Sequence, residues 1–222
     1  MRLSTQDVFH GQIAFTGVYE EKLSSWVREL SRSPGGLMID VGANYGYFSL
    51  LWCAGRNENR VIAVEAAPAN MAPLNHNIVQ NNLLDRVAEH AWAASNQDGM
   101  SSFDPGSCEE TGWGGLAAGE AQHVISVPAR RLDKEFAGAE VEILKIDCEG
   151  ADAWVLEGAA GLLAAGRIKN IIFEENVIRQ QALGIPEGHA VSLLKEHGYS
   201  CQLLEHDPWI KTYHAKRDSF TE

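Results

Sequence analysis

The sequence predicts an α/β fold in which a mostly parallel sheet carries helices on both faces. Short apolar runs that end beside polar residues occur at Leu37–Val41, Val61–Val64 and Val141–Ile146. Segments with helical periodicity, each about 10–15 residues long, separate such runs, as is typical of βαβ units. Polar residues follow several of the runs, and ligands of such sheets bind at the carboxyl ends of the strands.

An amphipathic helix precedes the first strand, because apolar side chains recur at helical spacing at Leu23, Trp26, Val27 and Leu30. Pro34-Gly35-Gly36 ends this helix, so residues 1–36 form a helical lead-in. The strand at 37–41 is followed by a predicted helix over 45–55 and a second strand over 60–65. Asn70 is a suitable N-cap for the next helix.

The second half of the chain predicts further strands at 87–93, 99–103, 124–127, 141–146 and 168–173, and a closing pair at 199–204 and 209–213. Helices are expected over 151–165 and 186–197. Residues 104–123 are rich in glycine and small residues, and loops of this length often serve as lids or substrate platforms. We expect residues 1–222 to form a single domain.

Composition restricts the partners and the compartment. The 222 residues include 18 basic and 30 acidic side chains, a net charge of −12. Because nucleic-acid affinity depends on Lys and Arg that neutralise phosphates, we expect neither a nucleic-acid partner nor binding to an anionic membrane. No apolar run approaches the roughly 20 residues that span a bilayer, and no signal segment is recognisable. The four cysteines form no C-x-x-C pair, which favours free thiols in the cytoplasm. The chain could also form a homo-oligomer.

The turn after the first strand predicts a nucleoside cofactor. Its pattern, Asp-x-Gly-x-x-x-Gly, comprises Asp40, Gly42 and Gly46, with Asn44 between the glycines. A nicotinamide cofactor would require the G-x-G-x-x-G spacing that cradles a pyrophosphate. The spacing is instead similar to the first motif of S-adenosylmethionine (SAM) methyltransferases. We therefore expect Gly42, Asn44 and Gly46 at the methionyl part of the cofactor. Asp40 would either orient the turn by accepting backbone N–H bonds or contact the cofactor's ammonium through water.

An acid and small residues extend this predicted cofactor site. Glu65 follows Val61–Val64, so its carboxylate is placed to accept hydrogen bonds from the two ribose hydroxyls. Ala66 suits one side of an adenine slot, and Ala94 suits the other. The eight histidines show neither H-x-x-x-H nor H-E-x-x-H spacing, so no metal site is expected. His10 and His123 are expected to be solvated.

Acids at two later strand ends are the candidates for chemistry. Asp147 and Glu149 follow the strand 141–146 and are placed to contact the cofactor's ammonium, align an acceptor or act as a general base. Glu174 ends the strand 168–173 and is a candidate for acceptor binding. Trp113, in the long loop, is a candidate for stacking on the acceptor.

These residues resemble the FkbM family of SAM-dependent methyltransferases over roughly residues 17–204. The resemblance rests on Tyr19-Glu20, on residues 39–49, on 61–68, on 77–83 and on Ala93-Ala94-Ser95. Its most specific part is Leu144-Lys145-Ile146-Asp147-Cys148-Glu149-Gly150-Ala151-Asp152, followed by Val155-Leu156-Glu157-Gly158-Ala159. Cys148 and Asp152 stand where valine and glutamate are commoner in the family.

The resemblance implies the class I methyltransferase fold, with a Rossmann-like seven-stranded sheet, and cofactor roles for Glu20, Gly42, Asn44, Glu65 and Asp147. It also implies that SAM is converted to S-adenosylhomocysteine and that no metal is required. The favoured reaction is O-methylation of a small-molecule acceptor, either a sugar or a natural-product scaffold from secondary metabolism. Alternatives are N- or C-methylation, a SAM-binding module without catalysis, and a nicotinamide-dependent oxidoreductase.

Overall fold

A seven-stranded, mostly parallel sheet lies at the centre of the structure, as the sequence predicts. The computed structural model describes residues 1–107, 109–117 and 124–218. In chain order, the strands are β1 (Leu37–Val41), β2 (Arg60–Val64), β3 (Val87–His90), β4 (Ala93–Ala94), β5 (Gly99–Asp104), β6 (Gly115–Leu116), β7 (Ile125–Arg130), β8 (Val141–Ile146), β9 (Ile168–Asn176), β10 (Tyr199–His206) and β11 (Ile210–Arg217).

Helices cover both faces of this sheet. In chain order, they are α1 (Val8–Thr16), α2 (Glu21–Arg32), α3 (Tyr47–Gly55), α4 (Pro68–Gln80), α5 (Leu132–Glu135), α6 (Asp152–Glu157), α7 (Ala160–Ala164), α8 (Val177–Ala182) and α9 (His189–Glu196). Among the described residues, none of these helices is both long and apolar enough to cross a membrane.

The strand order of the main sheet is β10–β11–β9–β8–β1–β2–β3. The strands β1, β2, β3, β8 and β9 are parallel, and β11 runs antiparallel to both β9 and β10. The central strand β8 is buried along its whole length, because its two edges are paired and helices pack on its two faces. The predicted fold class is confirmed, and the carboxyl ends of β1, β2, β8 and β9 meet at one edge.

Two apolar clusters hold the helices against the sheet. On one face, residues of β1 and β8 such as Ile39 and Leu144 pack with α6, α7 and α9. On the other face, Met38 and Ile143 pack with Leu23 and Val27 of α2 and with residues of α3 and α4. The helical lead-in is therefore part of the packing of the sheet, since α2 contributes buried side chains to it.

Two local predictions are wrong. The helix expected over 151–165 is divided into α6 and α7 at Gly158, where a Cβ would lie 2.0 Å from the backbone oxygen of Ser95. Helix α4 begins at Pro68 with Ala67 as its N-cap, so Asn70 lies inside the helix. The side chain of Asn70 instead donates a hydrogen bond to the backbone oxygen of Thr111, at 3.2 Å.

A second, four-stranded sheet of order β4–β7–β5–β6 flanks the first. Part of the long loop predicted at 104–123 joins it, because β6 pairs with the end of β5. A short 3₁₀ helix at Thr111–Trp113 precedes β6. Residues 108 and 118–123, including His123, lie outside the described residues. The described part of this loop therefore has regular structure and lies beside the carboxyl edge of the main sheet.

Candidate functional site

A cavity of about 310 Å³ opens at the carboxyl edge of the main sheet. Its walls come from the loop after β1, from the ends of β2, β8 and β9, from the N-terminal segment, and from residues 111–116. This volume lies at the lower end of the range of about 300–1,000 Å³ typical of small-molecule sites. Its position is the one expected for the ligand of a parallel sheet.

The glycine-rich loop approaches the end of β8 so closely that Gly42 cannot be replaced without movement. Gly42 has φ +74°, and a Cβ there would lie 2.0 Å from the backbone oxygen of Asp147. Its amide donates to the oxygen of Val64 at 2.9 Å. Gly46, with φ +86°, is the N-cap of α3 and lies behind the cavity wall. One glycine therefore shapes the cavity, and the other starts the following helix.

Glu65 holds this loop and faces the cavity. Only 5% of the residue is exposed, and its two carboxylate oxygens accept the amides of Asn44 and Ala67, each at 2.7 Å. Burial raises the pKa of the Glu65 carboxyl, although the amides of Ala67 and Asn44 oppose the shift. The Asn70 side chain also hydrogen-bonds this carboxylate. A carboxylate has about four acceptor positions, so some acceptor capacity stays available for a further donor.

Small and aromatic side chains continue the wall beyond Glu65. Ala66 and Ala94 both line the cavity, as do Trp92, Ala93 and Phe103. These apolar surfaces belong to the loop after β2, to β4 and to β5. This part of the cavity wall is therefore apolar.

A buried lysine that the sequence analysis did not select joins the two central strands. Only 4% of the Lys145 side chain is exposed, and its Nζ lies 3.2 Å from Asp147 Oδ2 and 3.7 Å from Asp40 Oδ1. Burial opposes its positive charge, but Asp147, Asp40 and Glu20 together raise the pKa of Lys145. The sequence feature that could have selected Lys145 is the presence of a basic residue within a largely apolar strand that was expected to be buried.

Asp40 lies behind the cavity wall, beneath the glycine-rich loop. The residue is fully buried, and its Oδ2 accepts the hydroxyl of Ser49 at 2.7 Å. Its Oδ1 is buried without a hydrogen bond, so Lys145 supplies the countercharge. This arrangement places Asp40 as a support for Lys145 and α3.

Four carboxylates line the wall on the other side of the glycine-rich loop, at Glu20, Asp147, Glu149 and Glu174. Burial and the charge of Asp147 raise the pKa of both Glu20 and Glu149 to about 7. The same two causes raise the pKa of Glu174 well above its ordinary value. SAM carries a sulfonium and an ammonium, and a cation beside these crowded carboxyls would favour their charged forms, so the wall suits the positive groups of SAM.

Local contacts fix the orientation of these carboxylates. Glu149 has φ +51° and accepts Asn176 Nδ2 at 3.2 Å, and Arg179 Nε lies 3.6 Å from the same oxygen. Glu174 accepts the Thr212 hydroxyl at 3.0 Å. Because Arg179 and Asn176 belong to α8 and its N-cap, the ends of β8 and β9 are tied together at the cavity.

Trp113 stands at the edge of the same cavity and is 43% exposed. The guanidinium of Arg179 lies 5.6 Å from the centre of its ring and donates to its backbone oxygen at 2.9 Å. The tryptophan is therefore held in place while part of its side chain stays exposed to solvent.

His10 is buried, so the expectation that it is solvated is wrong. Only 4% of the residue is exposed, and its ring contacts that of Tyr45 with centroids 4.3 Å apart. Its Nδ1 accepts the amide of Ser4 at 3.2 Å, which assigns the ring proton to Nε2. Burial lowers the pKa of His10, so it is a neutral hydrogen-bond donor in the cavity wall.

A sequence model of the methyltransferase FkbM domain matches residues 40–201 of the chain. The chain belongs to the FkbM methyltransferase family. A search of curated proteins with this FkbM sequence finds no match. In agreement with its family, the protein is a SAM-dependent methyltransferase, as the sequence analysis predicted.

Solved structures similar to this FkbM methyltransferase have the same fold at low sequence identity. A SAM-dependent O-methyltransferase from Thermotoga maritima is 12% identical with a TM-score of 0.56, and the match covers 95% of this chain and 71% of that one. Precorrin-6y C5,15-methyltransferase from Geobacter metallireducens is 13% identical with a TM-score of 0.53, and 90% of each chain is covered. A Streptococcus pneumoniae protein in complex with S-adenosyl-L-methionine is 16% identical with a TM-score of 0.54, and the match covers 90% of this chain and 74% of that one.

The FkbM fold brings most of the sequence-predicted site residues to one cavity, although they come from distant parts of the chain. Those that line it are Glu20, Gly42, Asn44, Glu65, Ala66, Ala94, Trp113, Asp147, Glu149 and Glu174. Asp40 and Gly46 lie behind it. In the described residues, no group of three or more His, Cys, Asp or Glu side chains is arranged to hold a metal ion.

Proposed function

We propose that this FkbM methyltransferase transfers the methyl group of SAM to a hydroxyl of a small hydroxylated metabolite, a sugar or a natural-product scaffold. The observation that carries the proposal is the position of Glu149 and Glu174 beside Asp147, on the wall that adjoins the cofactor end. Carboxylates accept hydrogen bonds from neighbouring hydroxyls, so two of them side by side suit a polyhydroxylated acceptor.

The residues divide into a cofactor end and an acceptor end. Glu65 would accept the ribose hydroxyls, Ala66 and Ala94 would enclose the adenine, and Gly42 and Asn44 would lie along the methionyl part. Glu20 and Asp147 would face the ammonium. When bound, SAM would supply an electrophilic methyl group, to which an in-line acceptor oxygen bonds as the carbon–sulfur bond breaks and S-adenosylhomocysteine leaves.

At the acceptor end, we assign proton transfer to Glu149 or Asp147. A general base that removes the hydroxyl proton contributes about 10²–10⁴-fold, and it works best when its pKa lies near the working pH. The pKa of about 7 suits Glu149 to this role. Trp113 offers a partly exposed side chain on which a ring of the acceptor can stack, and Glu174 would bind another hydroxyl.

A second candidate is N-methylation of a small amine, favoured by the same group of carboxyls, because an ammonium brought beside them favours their charged forms and pairs with them. We place either activity in a single-domain enzyme, residues 1–222, in the cytoplasm, where the free thiols of Cys53, Cys148 and Cys201 would stay reduced. The net charge of −12 supports a small-molecule acceptor over a nucleic acid.

The first test is calorimetric titration with SAM, S-adenosylhomocysteine and NAD. We expect the first two to bind and NAD not to bind; binding of NAD alone would refute the cofactor assignment. The second test is a panel of polyols paired with their amino counterparts, with methylated products detected by mass spectrometry. Methylation of the amines alone would support the second candidate, and SAM binding without any product across the panel would support a non-catalytic module.

Matched variants test the acceptor end. Glu149→Gln should lower kcat by about 10²–10⁴-fold if Glu149 is the general base, while SAM affinity changes little. Asp147→Asn should lower kcat and SAM affinity together. The exposed acid Glu58, whose contact is with Arg56 away from the cavity, provides the control variant Glu58→Gln. Unchanged turnover in both site variants would remove these carboxylates from the reaction.

A further inference from the structure

The N-terminal segment forms part of the cavity wall, although it precedes the region that the family model matches. Asp7, Phe9, His10 and Ile13 line the cavity, and the match begins at residue 40. Helix α1 is nevertheless held loosely. His10 is the buried residue among those of α1, while Phe15 is 97% exposed. A segment with so little buried apolar surface can open locally at low cost in free energy.

A buried carboxylate ties this segment to the loop that carries Trp113. Asp7 Oδ2 accepts both the amide and the hydroxyl of Thr111, each at 2.7 Å, and its Oδ1 accepts the amide of His10 at 2.9 Å. Burial disfavours the charge, but these hydrogen bonds outweigh it and lower the pKa of Asp7. A second tie runs from the Val8 amide to the Glu109 oxygen, at 3.1 Å.

Thr111 connects Asp7 to the glycine-rich loop through a further hydrogen bond. Its hydroxyl donates to Asp7, so its oxygen is free to accept Asn44 Nδ2, at 3.3 Å. Asn44 has φ +49°, and its backbone amide donates to the carboxylate of Glu65, the acid assigned to the ribose. One chain of hydrogen bonds therefore runs from Asp7 through Thr111 and Asn44 to Glu65.

The start of the segment is attached to the same loop by an independent route. The Arg2 amide donates to Asn77 Oδ1 at 2.5 Å, and Asn77 Nδ2 donates to the Arg2 oxygen at 3.1 Å. The same Asn77 amide group donates to the oxygen of Tyr45 at 2.9 Å. Arg2 and Asp7, which both precede α1, are thus connected by separate hydrogen bonds to the loop between Gly42 and Gly46.

We propose that residues 1–16 and 109–116 form a lid over the cofactor end of the cavity, and that Asp7 is a positioning residue that latches this lid and orients Asn44 through Thr111. The lid opens when the hydrogen bonds of Asp7 break, and it closes over SAM when they form again. This proposal rests on the proposed function only in that SAM occupies the cavity, and it is independent of the acceptor.

The test measures SAM affinity and the rate of SAM release by stopped-flow fluorescence in Asp7→Asn and Thr111→Val. A hydrogen bond to a charged group contributes about 1.5–3 kcal/mol, so we expect SAM release to be about 10- to 100-fold faster in Asp7→Asn. Thr111→Val should show a smaller increase. Thr111→Ser keeps the hydroxyl and should behave like the wild type. Phe15→Ser, on the same helix but fully exposed, is the matched control.

Hydrogen exchange supplies a readout that a purely structural role would not change. SAM should slow amide exchange across residues 8–16 in the wild type and in Phe15→Ser, and this protection should be lost in Asp7→Asn at an unchanged melting temperature. SAM release and protection in Asp7→Asn and Thr111→Val equal to the wild type would overturn the proposal. A wild type that fails to bind SAM would instead refute the cofactor assignment itself, so the two failures are distinguishable.

Discussion

Replacing Lys145 by methionine tests whether the central strands depend on its charge. The Nζ lies 3.2 Å from Asp147 and 3.7 Å from Asp40. At an effective dielectric constant of about 20, unit charges at these distances attract by about 5 and about 4.5 kcal/mol. These attractions offset the cost of burying the ions, which is several kcal/mol for each of them.

The variant leaves Asp40 fully buried, with one oxygen that has neither a hydrogen bond nor a countercharge. A carboxyl forced to be neutral at pH 7 costs about 4 kcal/mol, because an aspartate ordinarily ionises near pH 3.9 and each pH unit corresponds to about 1.36 kcal/mol. We therefore expect Lys145→Met to lower the free energy of unfolding by about 3–5 kcal/mol at pH 7. The deficit should shrink by about 1.4 kcal/mol for each pH unit below 7.

Urea unfolding, followed by circular dichroism from pH 5 to pH 8, measures this effect. Adding Asp40→Asn to Lys145→Met should recover at least about 2 kcal/mol, since the uncompensated charge is then absent. The matched control is Lys22→Met, because Lys22 pairs with Glu205 at 2.6 Å and both side chains are exposed, by 75% and 43%. An exposed pair contributes about 0–1 kcal/mol. A loss below about 1 kcal/mol in Lys145→Met, or no recovery in the double variant, would refute the reasoning.

Two further predictions concern the cavity. Glu65→Gln replaces one acceptor oxygen by a donor, so the backbone amide of either Asn44 or Ala67 loses its hydrogen-bond partner. We expect the affinity for SAM, measured by calorimetry, to fall about 10- to 100-fold. An unchanged affinity would refute the ribose assignment. The carboxyls of Glu20 and Glu149 have pKa values raised from 4.5 to about 7, so the folded protein binds more protons than the unfolded chain between these values. The free energy of unfolding without SAM should therefore fall as the pH rises from about 5 to about 7. Glu20→Gln with Glu149→Gln should reduce this dependence, and the remainder comes from other buried carboxyls such as Asp152, whose pKa is also raised to about 7.

Sequence patterns predicted the parallel sheet and the positions of the main strands. They succeeded because a strand buried on both faces must be a short apolar run, whatever surrounds it. Glu65 and Asp147 were selected for a similar reason: a polar residue directly after such a run is carried to the carboxyl edge of the sheet. Gly42 was selected on spacing, and its backbone approaches Asp147 too closely for any side chain.

The features that the sequence analysis missed depend on contacts between distant residues. Helix α6 ends at Gly158, where the backbone of Ser95 leaves no room for a side chain, and the pattern within 151–165 contains no sign of this neighbour. His10 is buried because Ser4 and Tyr45 close around it. The local sequence around His10 could not show this, since Tyr45, which covers one side of its ring, comes from elsewhere in the chain.

By itself, the sequence determined the fold class, the family and the residues at the strand ends, since each of these follows from local pattern and from the geometry of parallel strands. The tertiary structure alone decided how charges are paired behind those residues. Lys145 meets Asp40 because β1 and β8 are neighbours in the sheet, and Asp7 meets Thr111 across 104 positions of the chain. Ion pairs and hydrogen bonds act over a few ångströms of space, and separation along the chain does not determine them.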